Sequence, residues 1–222
     1  MAAKRPIKTR KNREILIISE DEKSFILYFE KLLQEIRYQK TGKSFKAASV
    51  GNKNGITIIE LIHIGKNSSS GIVDEANKKS SKYEKIFCVF DSVDEEKRKK
   101  DLEIKAGQNV EKIISIPCYE AWLLMHFTTN LNEDKFLKIK SATDLVKELS
   151  NQYRSTFGTE GLKIGKSISY EKNWISEPIF RWLYDNTKTA KANAQRLRKE
   201  NKKHLSTEID LLINELENFS VA

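Results

Sequence analysis

Short apolar runs separated by amphipathic segments make up the first 130 residues of the chain. Each run is a continuous block rich in Ile, Val, Leu and Phe, which is typical of a strand buried on both faces. We predict four such strands, at residues 15–18, 56–62, 86–90 and 113–116. Between them the apolar residues recur at helical spacing, and we predict helices at residues 22–38, 67–79 and 95–106, and from Pro117 onward.

Alternating strands and helices indicate a mainly parallel sheet with right-handed crossovers and helices on both faces. Beyond residue 130 the pattern is helical only, with predicted helices at residues 142–152, 174–184, 189–199 and 207–216. The predicted fold class is therefore α/β, with a C-terminal helical extension. We divide the chain into a flexible basic arm at residues 1–13, an α/β core at 14–130 and an extension packed on the core at 131–222.

Composition narrows the class of protein further. The 222 residues include 40 Lys and Arg against 31 Asp and Glu, for a net charge of +9, which is common in proteins that bind nucleic acid.

The two cysteines, Cys88 and Cys118, sit in apolar segments, and neither a disulfide framework nor a Cys/His zinc spacing is present. No apolar run has the length of a membrane span or the position of a signal peptide, so we expect a cytoplasmic protein.

Acidic residues follow two of the predicted strands. Glu20 ends the first strand, with Glu22 close by, and Asp91 ends the third, with Asp94 close by. If these strands are neighbours, the four carboxylates meet at the edge where parallel sheets bind ligands. Such an edge suits Mg²⁺, which binds through one or two carboxylates and completes its shell with water and phosphate oxygens. The structural alternative is that these acids cap the following helices.

Three segments carry a resemblance to a known family. They are IISEDEKSFILYF at residues 17–29, VFDSVD at 89–94 and SIPCYEAWLLMHF at 115–127. They resemble the motifs of the RloB family, in which Cys-Glu-Gly-Glu-Lys-Thr-Glu follows a strand, Val-Phe-Asp-Arg-Asp-Asp follows a later one, and Pro-Cys-Phe-Glu-Leu-Trp precedes Leu-Leu-Leu-His-Phe. The third segment is the longest match and the most specific. A fainter similarity continues through Ala190, Ala194 and the Ser206-Thr207 step.

The resemblance implies a TOPRIM-like fold, in which a Glu after the first strand and an Asp-x-Asp after a later strand bind Mg²⁺. On this match Glu20 and Asp91 take the metal-ligand and acid/base positions, and Glu22 or Asp94 would act as the base or as a ligand of a second ion. The chain departs from the family pattern at two places: Asp21 replaces the glycine after the Glu, and Val93 replaces the second Asp, which leaves Asp94 as a shifted substitute.

Two further residues of the third segment are candidates for a supporting role in this site. Glu120 lies in the first turn of the predicted helix and either points to the same sheet edge or complements the helix N-terminus. His126 is either a residue that supports the site or a hydrogen-bonded core histidine, since it lies among Leu124, Met125 and Phe127.

A run of positive charge near the C-terminus is the candidate nucleic-acid surface. It comprises Lys188, Lys191, Arg196, Arg198 and Lys199. Such a cluster beside an acidic metal edge would hold phosphates, whereas the alternative is a solvated helix face.

Two functions of different classes follow from these patterns. The first is a Mg²⁺- or Mn²⁺-dependent nuclease acting on RNA, tRNA or DNA, for which the resemblance implies a role in antiphage defence beside an ATPase partner. The second is a non-catalytic module that binds nucleic acid or the ATPase and has a degenerate metal site, as Asp21 and Val93 would suggest. Primase-like nucleotidyl transfer would use the same residues.

Overall fold

The computed structural model describes residues 13–20, 24–41, 57–64, 68–127, 136, 138–158, 162–164, 168–170, 174–200 and 204–219, which are called the described residues below. Residues 1–12 of the predicted basic arm lie outside them, and Arg13 is the first residue of strand β1.

The first part of the chain alternates strands and helices, in agreement with the sequence pattern. Its elements are β1 (Arg13–Ser19), α1 (Ser24–Thr41), β2 (Thr57–His63), α2 (Ser69–Lys79), β3 (Lys85–Asp91), α3 (Glu95–Glu103), β4 (Val110–Ile116) and α4 (Glu120–Leu124). All four predicted strands are present within three residues of their expected bounds. The helix expected from Pro117 begins instead at Glu120, and the Ile116–Pro117 peptide bond is cis.

The second part of the chain is mainly helical but is not helical only, so that prediction was wrong. Its elements are α5 (Ala142–Phe157), β5 (Leu162–Ile164), β6 (Ile168–Tyr170), α6 (Glu177–Asp185), α7 (Thr187–Lys199), β7 (Ser206–Thr207) and α8 (Ile209–Phe219). Strands β5 and β6 form an antiparallel hairpin. The three extra strands have two or three residues each, which is too short for a period-2 pattern to be visible in the sequence.

The main sheet has the strand order β2-β1-β3-β4-β7. Strands β1 to β4 are parallel, and β7 pairs antiparallel with the end of β4, with Thr207 opposite Ser115. The described residues therefore form a mixed α/β fold with a mostly parallel five-stranded sheet flanked by helices, which confirms the predicted fold class.

Alternate residues of each strand enter different cores, as expected for a sheet covered on both faces. Ile15 and Ile17 of β1 belong to a large core that includes α1 and the C-terminal helices. Leu16 and Ile18 belong to a smaller core beneath α2. The C-terminal helices thus pack on the same face of the sheet as α1, and none of the helices in the described part of the chain is long and apolar enough to cross a membrane.

Candidate functional site

The site is built where two neighbouring parallel strands end. Strands β1 and β3 pair directly, with Ser19 opposite Val89, and the Glu20 N–H continues the ladder by donating to the Val89 carbonyl at 3.4 Å. Glu20 therefore lies just past the end of β1, beside Asp91, the last residue of β3. The Glu20 Oε1 atom accepts a hydrogen bond from the Asp91 backbone N–H at 2.7 Å.

This hydrogen bond orients the Glu20 carboxylate at the end of β3. A backbone N–H that donates to a carboxylate makes a charge-assisted bond, which is stronger than a bond between neutral groups. Both Glu20 and Asp91 are half-buried, so each keeps part of its surface in contact with solvent. The structure thus brings together two acids that are 71 positions apart in the chain.

Glu120 lies at the same edge of the sheet. It follows the carboxyl end of β4, which pairs with β3, and it is 5% exposed in the first turn of α4. The pKa of the buried Cys118 thiol is raised well above its usual value, first by burial and then by the negative charges of Glu120 and Asp91. The thiol is held in its protonated form and is a poor nucleophile.

Asp94 has a capping role. It is the N-cap of α3, where its Oδ1 atom accepts from the Lys97 N–H at 2.7 Å. Between it and Asp91 lies Val93, whose surface is 68% exposed. Asp94 therefore satisfies a backbone donor at the start of α3, which is the helix-capping role given above as the structural alternative.

Two residues named by the sequence analysis fall outside the described residues. These are Glu22, a candidate base or ligand, and Asp21, which replaces the family glycine. Within the described part of the chain, no group of three or more His, Cys, Asp or Glu side chains is placed to hold a metal ion. Glu20 and Asp91 are nevertheless residues of the type that would suit Mg²⁺, because that ion often takes only one or two protein carboxylates.

His126 is a core residue and not part of this edge cluster. Its Nδ1 atom lies 3.0 Å from the Trp122 carbonyl, which can only accept, so Nδ1 carries the proton. Nε2 is then the acceptor for the Tyr28 hydroxyl at 3.4 Å. Burial lowers the pKa of His126 to about 4, so the ring is neutral at pH 7. This arrangement agrees with the core-histidine interpretation.

The basic cluster on α7 is divided by the fold. The Arg198 guanidinium makes two bonds of 2.6 Å to the carboxylate of Asp210, which is fully buried. Lys191 pairs with Glu217 at 2.8 Å, and Arg196 pairs with Glu200 at 2.7 Å. Each of these three cations has an acidic partner within the chain, and the partner of Arg198 is fully buried. Lys188 and Lys199 are exposed and remain candidates for contacts with phosphates.

Sequence reasoning missed a buried pair behind Asp91. The next residue, Ser92, is fully buried, and its hydroxyl donates to Asp101 at 2.5 Å. Asp101 is the one buried residue of α3, a helix of nine residues with six other charged side chains before it. Since charged residues surround Asp101 in the sequence, no hydrophobic pattern indicates that it faces the core.

The chain is similar to a known protein family. A family model described as RloB-like protein matches residues 15–216, which is nearly the whole chain. Among curated proteins and solved structures, no significant match was found.

Proposed function

The chain belongs to the RloB-like family, and from this premise we propose that it is a Mg²⁺- or Mn²⁺-dependent nuclease that hydrolyses phosphodiester bonds. The single observation that supports the proposal best is the contact at the sheet edge, where Glu20 lies 2.7 Å from the backbone nitrogen of Asp91. It joins two acidic residues at the carboxyl ends of adjacent parallel strands, and ligand sites in open α/β sheets lie at such strand ends.

Glu20 and Asp91 are the residues that would hold the metal ion. When bound, the ion would polarise a phosphoryl oxygen and lower the pKa of a water molecule. The bond from the Asp91 N–H fixes the rotamer of Glu20, so this carboxylate is oriented before any ligand binds. Glu120, which follows the carboxyl end of the adjacent strand β4, would add negative charge to the edge and favour a cation there.

The remaining roles follow from position. Glu22 would be the general base or a ligand of a second ion, since it follows Glu20 by two residues. Exposed Lys188 and Lys199 would contact phosphates of RNA, tRNA or DNA through charge, without reading the base sequence. A role in antiphage defence with an ATPase partner belongs to the same proposal and rests on the family resemblance.

A second function is favoured by a different observation. Asp94, the substitute for the missing family Asp, has its carboxylate bonded to the N-terminus of α3. If that bond keeps it from a metal, the chain would be a non-catalytic module that binds nucleic acid or an ATPase through the same fold.

The nuclease proposal is tested by substituting each acid with its amide. We expect Glu20→Gln and Asp91→Asn to lower cleavage of RNA, tRNA or DNA on the order of 100-fold or more, because the metal contributes several kcal/mol to the transition state. Cleavage by the unmodified protein should require Mg²⁺ or Mn²⁺ and stop with chelator. Cleavage rates are measured on labelled substrates.

The matched control is Asp74→Asn, which removes an exposed carboxylate from α2 and should leave cleavage unchanged. Undiminished cleavage in both Glu20→Gln and Asp91→Asn would remove the proposed site. Calorimetric titration with Mn²⁺ separates the two functions: carboxylate-dependent binding supports the nuclease, whereas nucleic-acid binding without metal binding or cleavage supports the non-catalytic module.

A further inference from the structure

The turn that follows β3 is anchored at Ser92, the residue next to Asp91. The Ser92 backbone N–H donates to the Ser115 carbonyl of β4 at 2.9 Å, which continues the sheet ladder past Asp91. Its side-chain hydroxyl donates to the Oδ2 atom of Asp101 on α3 at 2.5 Å. Ser92 is fully buried, so both bonds form away from water.

Asp101 is the centre of a small hydrogen-bond network that is buried at Ser92 and Asp101 and reaches the partly exposed side chain of Lys97. The residue is 2% exposed, and its Oδ1 atom accepts from the Lys97 ammonium one helical turn earlier. Lys97 also donates to the hydroxyl of Ser69, the first residue of α2, at 3.0 Å. Ser92, Asp101, Lys97 and Ser69 therefore join the end of β3 to α3 and to the start of α2.

A buried carboxylate is stable only when it is paired and hydrogen-bonded. Asp101 meets this requirement by using one oxygen for Lys97 and the other for Ser92. The Ser92 hydroxyl therefore has one strongly preferred position. Since Ser92 directly follows Asp91, that preference also restricts the backbone of Asp91.

The Asp91 backbone is the same group that orients Glu20. Its N–H donates to the Glu20 carboxylate at 2.7 Å. A shift of the Ser92 anchor would thus disturb both proposed ligands, because it would move the Asp91 carboxylate and the donor that holds Glu20. Residues that hold ligands in this way commonly affect metal affinity about 10- to 100-fold.

We propose that Asp101 is a positioning residue that, through its hydrogen bond from Ser92, holds the end of β3 so that Asp91 stays beside Glu20. The inference rests on the proposed function in so far as these two acids bind metal. The position of the Asp91 N–H does not depend on a bound metal, so the effect of Asp101 on that position is measured separately.

The first measurement is hydrogen exchange at the Asp91 amide, followed by NMR on the ¹⁵N-labelled full chain without metal. In Ser92→Ala and in Asp101→Ala we expect this amide to exchange about tenfold faster or more, which is the change expected when a hydrogen bond to a charged group is weakened. Its proton shift should move upfield. Amides in the middle of β3, such as that of Phe87, should keep their protection.

The matched control is Glu96→Ala. Glu96 lies on the same helix and pairs with Lys100 four residues later at 2.8 Å, but it is 78% exposed. This variant removes one carboxylate and one ion pair from α3, as Asp101→Ala does, and should leave the Asp91 amide unchanged. Asp101→Asn, which keeps an oxygen acceptor for Ser92, should restore part of the protection.

The second measurement is calorimetric titration with Mn²⁺. We expect Ser92→Ala and Asp101→Ala to weaken Mn²⁺ binding about 10- to 100-fold while Glu96→Ala binds as the unmodified protein does. If both network variants keep the exchange rate of the Asp91 amide and the Mn²⁺ affinity of the unmodified protein, the inference is overturned. If Asp101→Ala does not fold, Ser92→Ala decides, because it retains the Lys97–Asp101 pair.

Failure of this inference differs from failure of the proposed function. If the unmodified protein binds no Mn²⁺ and cleaves no substrate, the function fails, while the amide exchange still shows whether Asp101 holds Asp91. If Glu20→Gln and Asp91→Asn abolish cleavage but the network variants behave as Glu96→Ala does, the function stands and Asp101 is only a buried structural residue.

Discussion

The imidazole of His126 is 2% exposed and packs edge-on against Trp122, with ring centroids 4.8 Å apart. Its two nitrogens are bonded to the Trp122 carbonyl and to the Tyr28 hydroxyl. Burial without a carboxylate partner disfavours the charged ring, which is why the pKa of His126 falls from 6.5 to about 4. This residue therefore makes the stability of the fold depend on pH.

The direction of that dependence follows from the pKa values. Between about pH 6.5 and pH 4 the unfolded chain binds a proton at His126 that the folded chain does not, so stability decreases as the pH falls through this range. From pH 7 to pH 5 we expect His126 to account for a loss of roughly 2 kcal/mol. Urea unfolding at both pH values, compared between the unmodified protein and His126→Gln, measures this contribution. An equal pH dependence in the two proteins would contradict it.

Several polar contacts help to fix strand β7 and the start of α8 to the sheet. The Glu208 N–H donates to the Ile114 carbonyl at 3.1 Å, and the Glu208 carboxylate accepts from the Ile114 N–H at 3.0 Å. Glu208 also accepts from Arg98 of α3 at 2.6 Å. Arg198 adds a bond to the Thr207 carbonyl and the pair with Asp210, so it links α7 to α8. A two-residue strand is thus stabilised by the charged residues around it.

Removing the Arg198 side chain tests how much this link contributes. Asp210 is fully buried, so Arg198→Ala leaves an uncompensated carboxylate in the core and should lower the free energy of unfolding by about 3–5 kcal/mol. The neighbouring exposed residue gives the control, since Lys199→Ala should change it by less than about 0.5 kcal/mol. Urea denaturation of both variants measures the difference. Equal stability of the two would show that Arg198 is not a structural cation.

The described residues share one large core across the parts of the chain before and after residue 130. Phe29 of α1 and Trp122 of α4 belong to the same cluster as Leu149, Phe180 and Leu212 from the C-terminal helices. Each of these side chains is at most 2% exposed. Helices α1 and α5 to α8 cover the same face of the sheet together. Neither the part before residue 130 nor the part after it can therefore bury its apolar surface alone.

This arrangement predicts that the two parts do not fold separately. A fragment of residues 14–130 should lack the cooperative urea transition and near-ultraviolet circular dichroism of the full chain, because its apolar face would be exposed to water. Adding residues 131–222 as a second fragment should restore part of both signals. A cooperative transition in fragment 14–130 alone would show that it is an independent domain.

The sequence by itself determined the four parallel strands, the helices between them and the acids at the strand ends. Continuous apolar runs reveal buried strands because a sheet covered on both faces needs apolar residues at every position. It also identified Glu20 and Asp91 as neighbours of strand ends. The sequence does not show which strands are neighbours. Glu20 and Asp91 meet because the tertiary fold places β3 directly beside β1.

Only the tertiary structure distinguished residues that look alike in the sequence. Arg198 and Lys199 are adjacent cations, but Arg198 is bonded to a buried carboxylate whereas Lys199 is exposed. Asp101 and Glu96 are acids of the same charged helix, but Asp101 is bonded in the interior whereas Glu96 is exposed. Charge and periodicity show where a helix begins and which face is apolar. The partner of a charged side chain depends on which elements pack against it, and that packing joins residues about 100 positions apart, as in the pair of Arg98 with Glu208.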